Sequence, residues 1–195
     1  MRAILSLAVM LLSTTAVLLA QETTPKVEVF GGYSYANADN PQNVPNRVNL
    51  NGWNSSLAVN FNRTFGIVGD FSGHYGSADS SILAQCVNGG ICSNSFKLTT
   101  KTHTFLLGPQ VSFRAGRATP FAHALLGAAH TNISSLSSSD SSTGFATALG
   151  GGLDYNVTHR LGWRVQVDYL QTRFFSTTQN DFRLSTGPVF RFGGK

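Results

Sequence analysis

From residue 26 onward, apolar and polar residues exchange places at nearly every step. The dominant period is two rather than 3.6, and it recurs in eight segments: 26–35, 50–61, 65–76, 99–113, 120–130, 144–156, 161–172 and 182–193. Segment 161–172 shows the pattern plainly. Leu161, Trp163, Val165, Val167 and Tyr169 fall on one face, and Gly162, Arg164, Gln166 and Asp168 on the other. Eight strands of about ten residues each are predicted, a length that lets a tilted strand cross a lipid bilayer.

The aromatic residues sharpen this picture. On the apolar faces, Phe61, Phe65, Phe113, Tyr155, Trp163, Phe190 and Phe192 stand next to short connections, and Tyr33, Tyr35, Trp53, Tyr75, Phe145 and Tyr169 next to long ones. Two belts at opposite strand ends are what two membrane interfaces select. The connections alternate in the same sense. Residues 62–64, 114–119 and 157–160 are short, whereas 36–49, 77–98, 131–143 and 173–181 are longer. An even number of strands brings both termini to the short-turn side.

Residues 1–20 carry one cation, Arg2, then an apolar run interrupted by Ser13-Thr14-Thr15, and end on Ala20. This reads as a secretory signal peptide cut before Gln21, leaving 21–195 as one barrel domain. Charged residues are only 12% of the chain, against 20 Gly and 14 Phe, which excludes a disordered polyelectrolyte. The net charge of +5 comes from scattered cations without a basic run interleaved with aromatics, so nucleic-acid binding is not expected. Attraction to lipopolysaccharide or phospholipid head groups is the milder reading of that charge. Cys86 and Cys92, in an exported CVNGGIC stretch, read as a disulfide closed over the Asn88-Gly89-Gly90 turn.

The last strand, Ser185-Thr186-Gly187-Pro188-Val189-Phe190-Arg191-Phe192, reads polar, any, Gly, any, any, aromatic, any, aromatic. Its Ser185, Gly187, Phe190 and Phe192 resemble the terminal-strand signal that delivers barrels to the outer-membrane assembly machinery. Phe105-Leu106-Leu107-Gly108-Pro109, Thr119-Pro120-Phe121, Gly150-Gly151-Gly152-Leu153-Asp154-Tyr155 and Val167-Asp168-Tyr169 extend the likeness over 26–193. The chain resembles small outer-membrane β-barrels of the OmpA/OmpX-like type. The resemblance implies an all-β, eight-stranded antiparallel up-and-down transmembrane barrel in the bacterial outer membrane. It also implies a monomer whose partners are membrane lipid, lipopolysaccharide and the assembly machinery. One departure is the Gly193-Gly194-Lys195 tail, since family members often end on the aromatic itself.

With the apolar faces outward, Glu28, Asp70, His74, His123, Asp154, Arg164, Asp168, Arg183 and Arg191 point into a lumen barely wide enough for side chains. Buried charges must pair, so we expect Glu28 with Arg191, Asp154 with Arg164, and Asp168 with Arg183, each across neighbouring strands. Pro109 and Pro188 each remove a ladder donor, and a bulge or bend is expected at both.

These features predict a non-enzymatic barrel serving envelope structure, or surface interaction through four extracellular loops. A narrow pore for small solutes is the first alternative. A lipid-modifying enzyme is the second, with His74, Asp79, Ser80 and Ser81 or His130, Asp140 and Ser141 as candidates. A soluble lipocalin-like barrel would need its apolar faces inside, against the aromatic belts. No cofactor or metal site is expected: no His-x-His or Cys-x-x-Cys spacing occurs, and Gly150-Gly151-Gly152 sits within a strand pattern rather than opening a helix.

Overall fold

A computed structural model describes residues 24–38, 48–85, 91–134, 139–174 and 177–194. Eight strands follow in chain order: β1 (Val27–Ala38), β2 (Val48–Asn60), β3 (Phe65–Gln85), β4 (Ile91–Ser112), β5 (Ala118–Ser134), β6 (Ser139–Asn156), β7 (Leu161–Phe174) and β8 (Thr177–Phe192). Every strand pairs antiparallel with the next, and β8 closes onto β1. This is the closed up-and-down barrel that the alternation predicts. Closure leaves no sheet edge, the condition a β-structure must meet in lipid.

The period-two pattern fixes which face is which. Leu57, Val59, Ile67, Leu107, Leu126, Leu149, Val165 and Val167 are exposed on the outer wall. Around them run the two aromatic belts, with Phe61, Phe65, Phe113, Tyr155, Trp163, Phe190 and Phe192 at one end and Tyr33, Trp53, Tyr75, Phe145 and Tyr169 at the other. Edge-to-face contacts tie the second belt together, Trp53 to Phe71 at 5.0 Å and Tyr169 to Phe182 at 5.4 Å between ring centroids.

The short turns are set by local chemistry. Asn62 Oδ1 accepts hydrogen bonds from the Thr64 and Phe65 amides at 2.9 and 2.7 Å, and Thr158 Oγ1 accepts from Leu161 N at 3.0 Å. Gly116 turns the β4–β5 connection at φ +60°, a backbone region that side chains other than glycine's disfavour. At the same end, Lys26 N donates to Phe192 O at 2.9 Å and seals the first strand to the last.

Two expectations are corrected. First, the strands run on into the segments read as long loops. The β3–β4 ladder continues without a break from Gly76↔Thr100 to Gln85↔Ile91. Ser, Thr and Asn break the period-two alternation in this stretch, so the sequence pattern does not mark it as strand. These ten extra pairs project the hairpin roughly 33 Å along the strand direction. Second, the prolines produce gaps rather than bulges. Register on β4–β5 passes from Leu107↔Leu126 to Gln110↔His123, and on β1–β8 from Phe30↔Val189 to Tyr33↔Thr186, with no residue inserted in either strand. Pro109 and Pro188 stay paired on their other sides, to Ile67 and Trp163. The missing amide is absorbed as a lost bridge. Beside it, glycine permits a close approach: a Cβ on Gly187 would lie 2.4 Å from Gly31 O, and one on Gly108 2.0 Å from Ala124 O.

Candidate functional site

All nine inward residues named from the alternation are buried. They assemble in two tiers around two guanidinium hubs. In the tier nearer the short turns, Arg164 is 1% exposed. Its Nε donates to Asp154 Oδ1 at 2.7 Å and its Nη2 to Asp154 Oδ2 at 2.9 Å. This is the two-pronged geometry in which a planar guanidinium binds a carboxylate best. Arg164 also lies over the rings of Phe121 and Phe30, 4.3 and 5.3 Å from their centroids. Arg191 on β8 reaches the same carboxylate past β7, Nη2 to Asp154 Oδ2 at 3.0 Å.

Arg183, 0% exposed, is the hub of the second tier. Its Nε donates to Asp168 Oδ2 at 2.8 Å, and its Nη1 to Asp70 Oδ1 at 2.7 Å and to Ser72 Oγ at 3.0 Å. Asp168 is held further by Gln166 Nε2 at 2.8 Å and by the His123 ring at 2.8 Å, and Asp70 by Asn54 Nδ2 at 2.8 Å. β7 and β8 place Asp168 opposite Arg183, and β6 and β7 place Asp154 opposite Arg164. The pair expected between Glu28 and Arg191 is a register pair too, but the ion contact is long, 3.9 Å. The nearer partner of Glu28 is Arg114, at 2.9 Å.

Arg114 was assigned to a turn in the sequence reading. The signal was present, because Gln110, Ser112 and Arg114 continue the inward face of β4 one step past the strand end. Two further features were missed. His74 Nε2 and Ser34 Oγ are 2.9 Å apart, and Ser34 Oγ continues to Ser185 Oγ at 2.9 Å, a buried polar chain beside the Arg183 hub. Ala58, Val68, Leu106, Leu125, Ala129, Ala146, Ala148 and Leu170 fill another part of the lumen with apolar side chains. The sign of that second feature was the stretch 124–129, Ala-Leu-Leu-Gly-Ala-Ala, which has no polar side chain on either face.

Among the described lumen residues, Glu28, Asp70, Asp154 and Asp168 face Arg114, Arg164, Arg183 and Arg191, so the carboxylates and guanidinium groups match in number. They are unevenly distributed. The tier by the short turns holds three guanidinium groups to two carboxylates, and the second tier one to two.

The other singled-out residues are dispersed. Ser185 faces the lumen, while Phe190 and Phe192 are exposed on the wall at the short-turn end, where β8 stops. His130 is exposed, bonded to Thr143 at 2.8 Å; Asp140 and Ser141 sit on β6 opposite Ile133 and Asn132. Asp79, Ser80 and Ser81 lie on β3 opposite Lys97, Phe96 and Ser95. Cys92 stands opposite Ala84, whereas Cys86 and residues 1–20 fall outside the described residues. Among the described residues no group of three or more His, Cys, Asp or Glu is arranged to hold a metal ion. Chemically, the interior combines an apolar cluster with charged groups that mostly engage one another.

Comparison with known proteins agrees with this architecture. Ail, the attachment invasion locus protein of Yersinia pestis, superposes with a TM-score of 0.55 at 20% identity, covering 87% of this chain and 100% of Ail. Neisserial surface protein A gives 0.62 at 16% identity, over 86% and 97% of the two chains. The outer membrane protease OmpT of Escherichia coli gives 0.50 at 9% identity, over 89% and 99%. At these identities the likeness is one of fold alone. No curated protein sequence matches the chain. The model of the outer membrane protein beta-barrel domain matches residues 4–192, nearly the whole chain, and with its closed barrel and outward apolar wall the protein belongs to that family of outer-membrane barrels.

Proposed function

We propose that the protein is a closed, non-enzymatic barrel that anchors in the outer membrane as a monomer and presents its long hairpins, above all β3–β4, to the outside. Residues 1–20 are removed on export, and the terminal strand is read by the assembly machinery. The observation that carries this reading is the pair of buried hubs. Arg183 joins carboxylates on opposite strands β3 and β7, and Arg164 grips Asp154 on β6 and lies 3.5 Å from Glu28 on β1, so a solute crossing the barrel would have to break charge-assisted hydrogen bonds in both tiers. The extended hairpin supports the outward role. Its ladder keeps about ten pairs in register beyond the Tyr75 belt, a paired hairpin rather than an unpaired loop. Against an enzyme stands the state of the candidate groups: His74 is turned inward onto Ser34, and His130 onto Thr143.

Two measurements test the reading together. Planar-lipid recordings of the purified protein should show no steady current, and a stable large conductance overturns the closed barrel. Cells displaying the protein should lose attachment to a test surface when residues 79–97 are deleted. Equal attachment by wild type, by the deletion at equal surface level and by cells lacking the protein overturns the presenting role.

A further inference from the structure

We propose that the short-turn, periplasmic mouth of the barrel is a binding site for a phosphate-class oxyanion. A cavity of about 680 Å³ opens there, between the β4–β5 turn, the β6–β7 turn and the end of β8. Its wall includes Arg114, Arg117, Thr119, Thr158, His159 and Arg191, and among the described residues no carboxylate lines it. Arg117 and His159 are exposed at its rim, while Arg114 and Arg191 form its floor, 7% and 5% exposed.

The floor has donors to spare. Arg114 spends Nη1 on Glu28, at 2.9 Å, and its Nε and Nη2 meet no acceptor among the described residues. Arg191 gives Nη2 to Asp154, and its Nε likewise lacks a hydrogen-bond partner. Buried guanidinium hydrogens left without acceptors are costly, and such groups in folded proteins are normally satisfied. The tier beneath explains why the protein itself does not supply the acceptors. Among the described lumen residues three guanidinium groups share two carboxylates in this tier, an excess of one positive charge. Arg117 and His159 add donors at the rim, with Arg117 exposed and free to swing over a ligand. A ligand with several oxygens and at least one negative charge meets these donors; a phosphate group does so by geometry, since its oxygens match the guanidinium fork. Two sources carry that group to the periplasmic mouth, a phospholipid of the inner leaflet and a soluble phosphate ester.

The test uses the full barrel refolded in an uncharged maltoside detergent, with heat-modifiable migration as the check on folding. Inorganic pyrophosphate is titrated by calorimetry and by amide shifts of the 113–118 and 156–161 turns. In a second arm the barrel sits in nanodiscs of phosphatidylcholine alone or doped with phosphatidylglycerol, and the same amides are followed. Binding in the first arm identifies a soluble oxyanion as sufficient; a response confined to the doped nanodiscs identifies the lipid headgroup. In either case Arg117→Gln should weaken binding about ten-fold, the loss of one charge-assisted hydrogen bond, and Arg114→Gln should weaken it further where it folds. Arg160→Gln removes a nearby exposed cation that does not line the cavity and should change binding less than two-fold. No response in either arm, or equal weakening by Arg117→Gln and Arg160→Gln, overturns the site.

Discussion

Replacing Arg183 by Met tests whether the lumen network stabilises the barrel as one unit. The substitution keeps a long apolar stem and removes the guanidinium that holds two carboxylates, Asp70 at 2.7 Å and Asp168 at 2.8 Å, together with Ser72 at 3.0 Å. Removing one partner of a buried ion pair typically costs 3–5 kcal/mol, because the remaining charge stays buried without compensation. Here two carboxylates are stranded, which raises the cost. Asp70 keeps Asn54, and Asp168 keeps His123 and Gln166, which lowers it. The balance falls near the top of that range, about 4–5 kcal/mol, or roughly a thousand-fold in the folding equilibrium. The assay is urea unfolding from lipid vesicles, followed by the fluorescence of Trp53 and Trp163 on the outer wall and by heat-modifiable migration. The companion is the triple variant Asp70→Asn, Asp168→Asn, Arg183→Met. With the stranded charges gone, it should regain most of the loss and lie within about 2 kcal/mol of wild type. If Arg183→Met alone unfolds at the wild-type urea concentration, the network carries no net coupling. If the triple variant is no more stable than the single one, the cost lies in lost packing and not in stranded charge.

Arg164→Lys keeps the charge but loses both the two-pronged grip on Asp154 and the stacking on Phe121 and Phe30, so the same assay should show a loss of about 2 kcal/mol. Gly187→Ala should impair folding, since the added methyl would meet Gly31 O at 2.4 Å in the β1–β8 seam, whereas Gly31→Ala, with nothing within 4 Å, should fold like wild type; heat-modifiable yield after refolding compares them. Cys86 and Cys92 should resist maleimide labelling until a reductant is added, and labelling of the untreated folded protein would exclude the disulfide.

Strand number, the inner and outer faces, and the two belts could be read from residue order, because a membrane barrel must alternate wherever lipid lies on one side and a packed lumen on the other. Segment 161–172 shows this residue by residue. The pairs Asp154–Arg164 and Asp168–Arg183 were accessible for a related reason: they join adjacent strands, and register converts spacing into contact. Contacts between strands that are not neighbours were not accessible. Arg183 with Asp70, and Arg191 with Asp154, depend on the curvature of the closed sheet, which no pattern along the chain encodes. The reach of β3 and β4 was hidden because the alternation disappears where neither face meets lipid. Arg114 was lost to the convention that a strand ends with its last apolar residue, and of the bulge or bend expected at each proline the register excludes the bulge, because neighbouring glycines let a gap close instead.

The hubs also bear on the order in which the protein acquires its structure. Arg183 and Asp70 are 113 residues apart, and Arg164 and Glu28 are 136. Each hub joins the first half of the chain to the second. Adjacent hairpins form from local contacts and already set Asp168 beside Arg183 and Asp154 beside Arg164, but Asp70 and Glu28 join them only when β8 meets β1. Before that moment the charges of the half-built wall need water, so an open sheet cannot dry its concave side. Loop closure over such separations is slow, and its reward arrives all at once. The seam therefore acts as a latch. A barrel that has not closed has no interior, and once closed, opening the seam would part Arg183 from Asp70 and Arg164 from Glu28 at the same time, leaving each hub only its partners on β6 to β8.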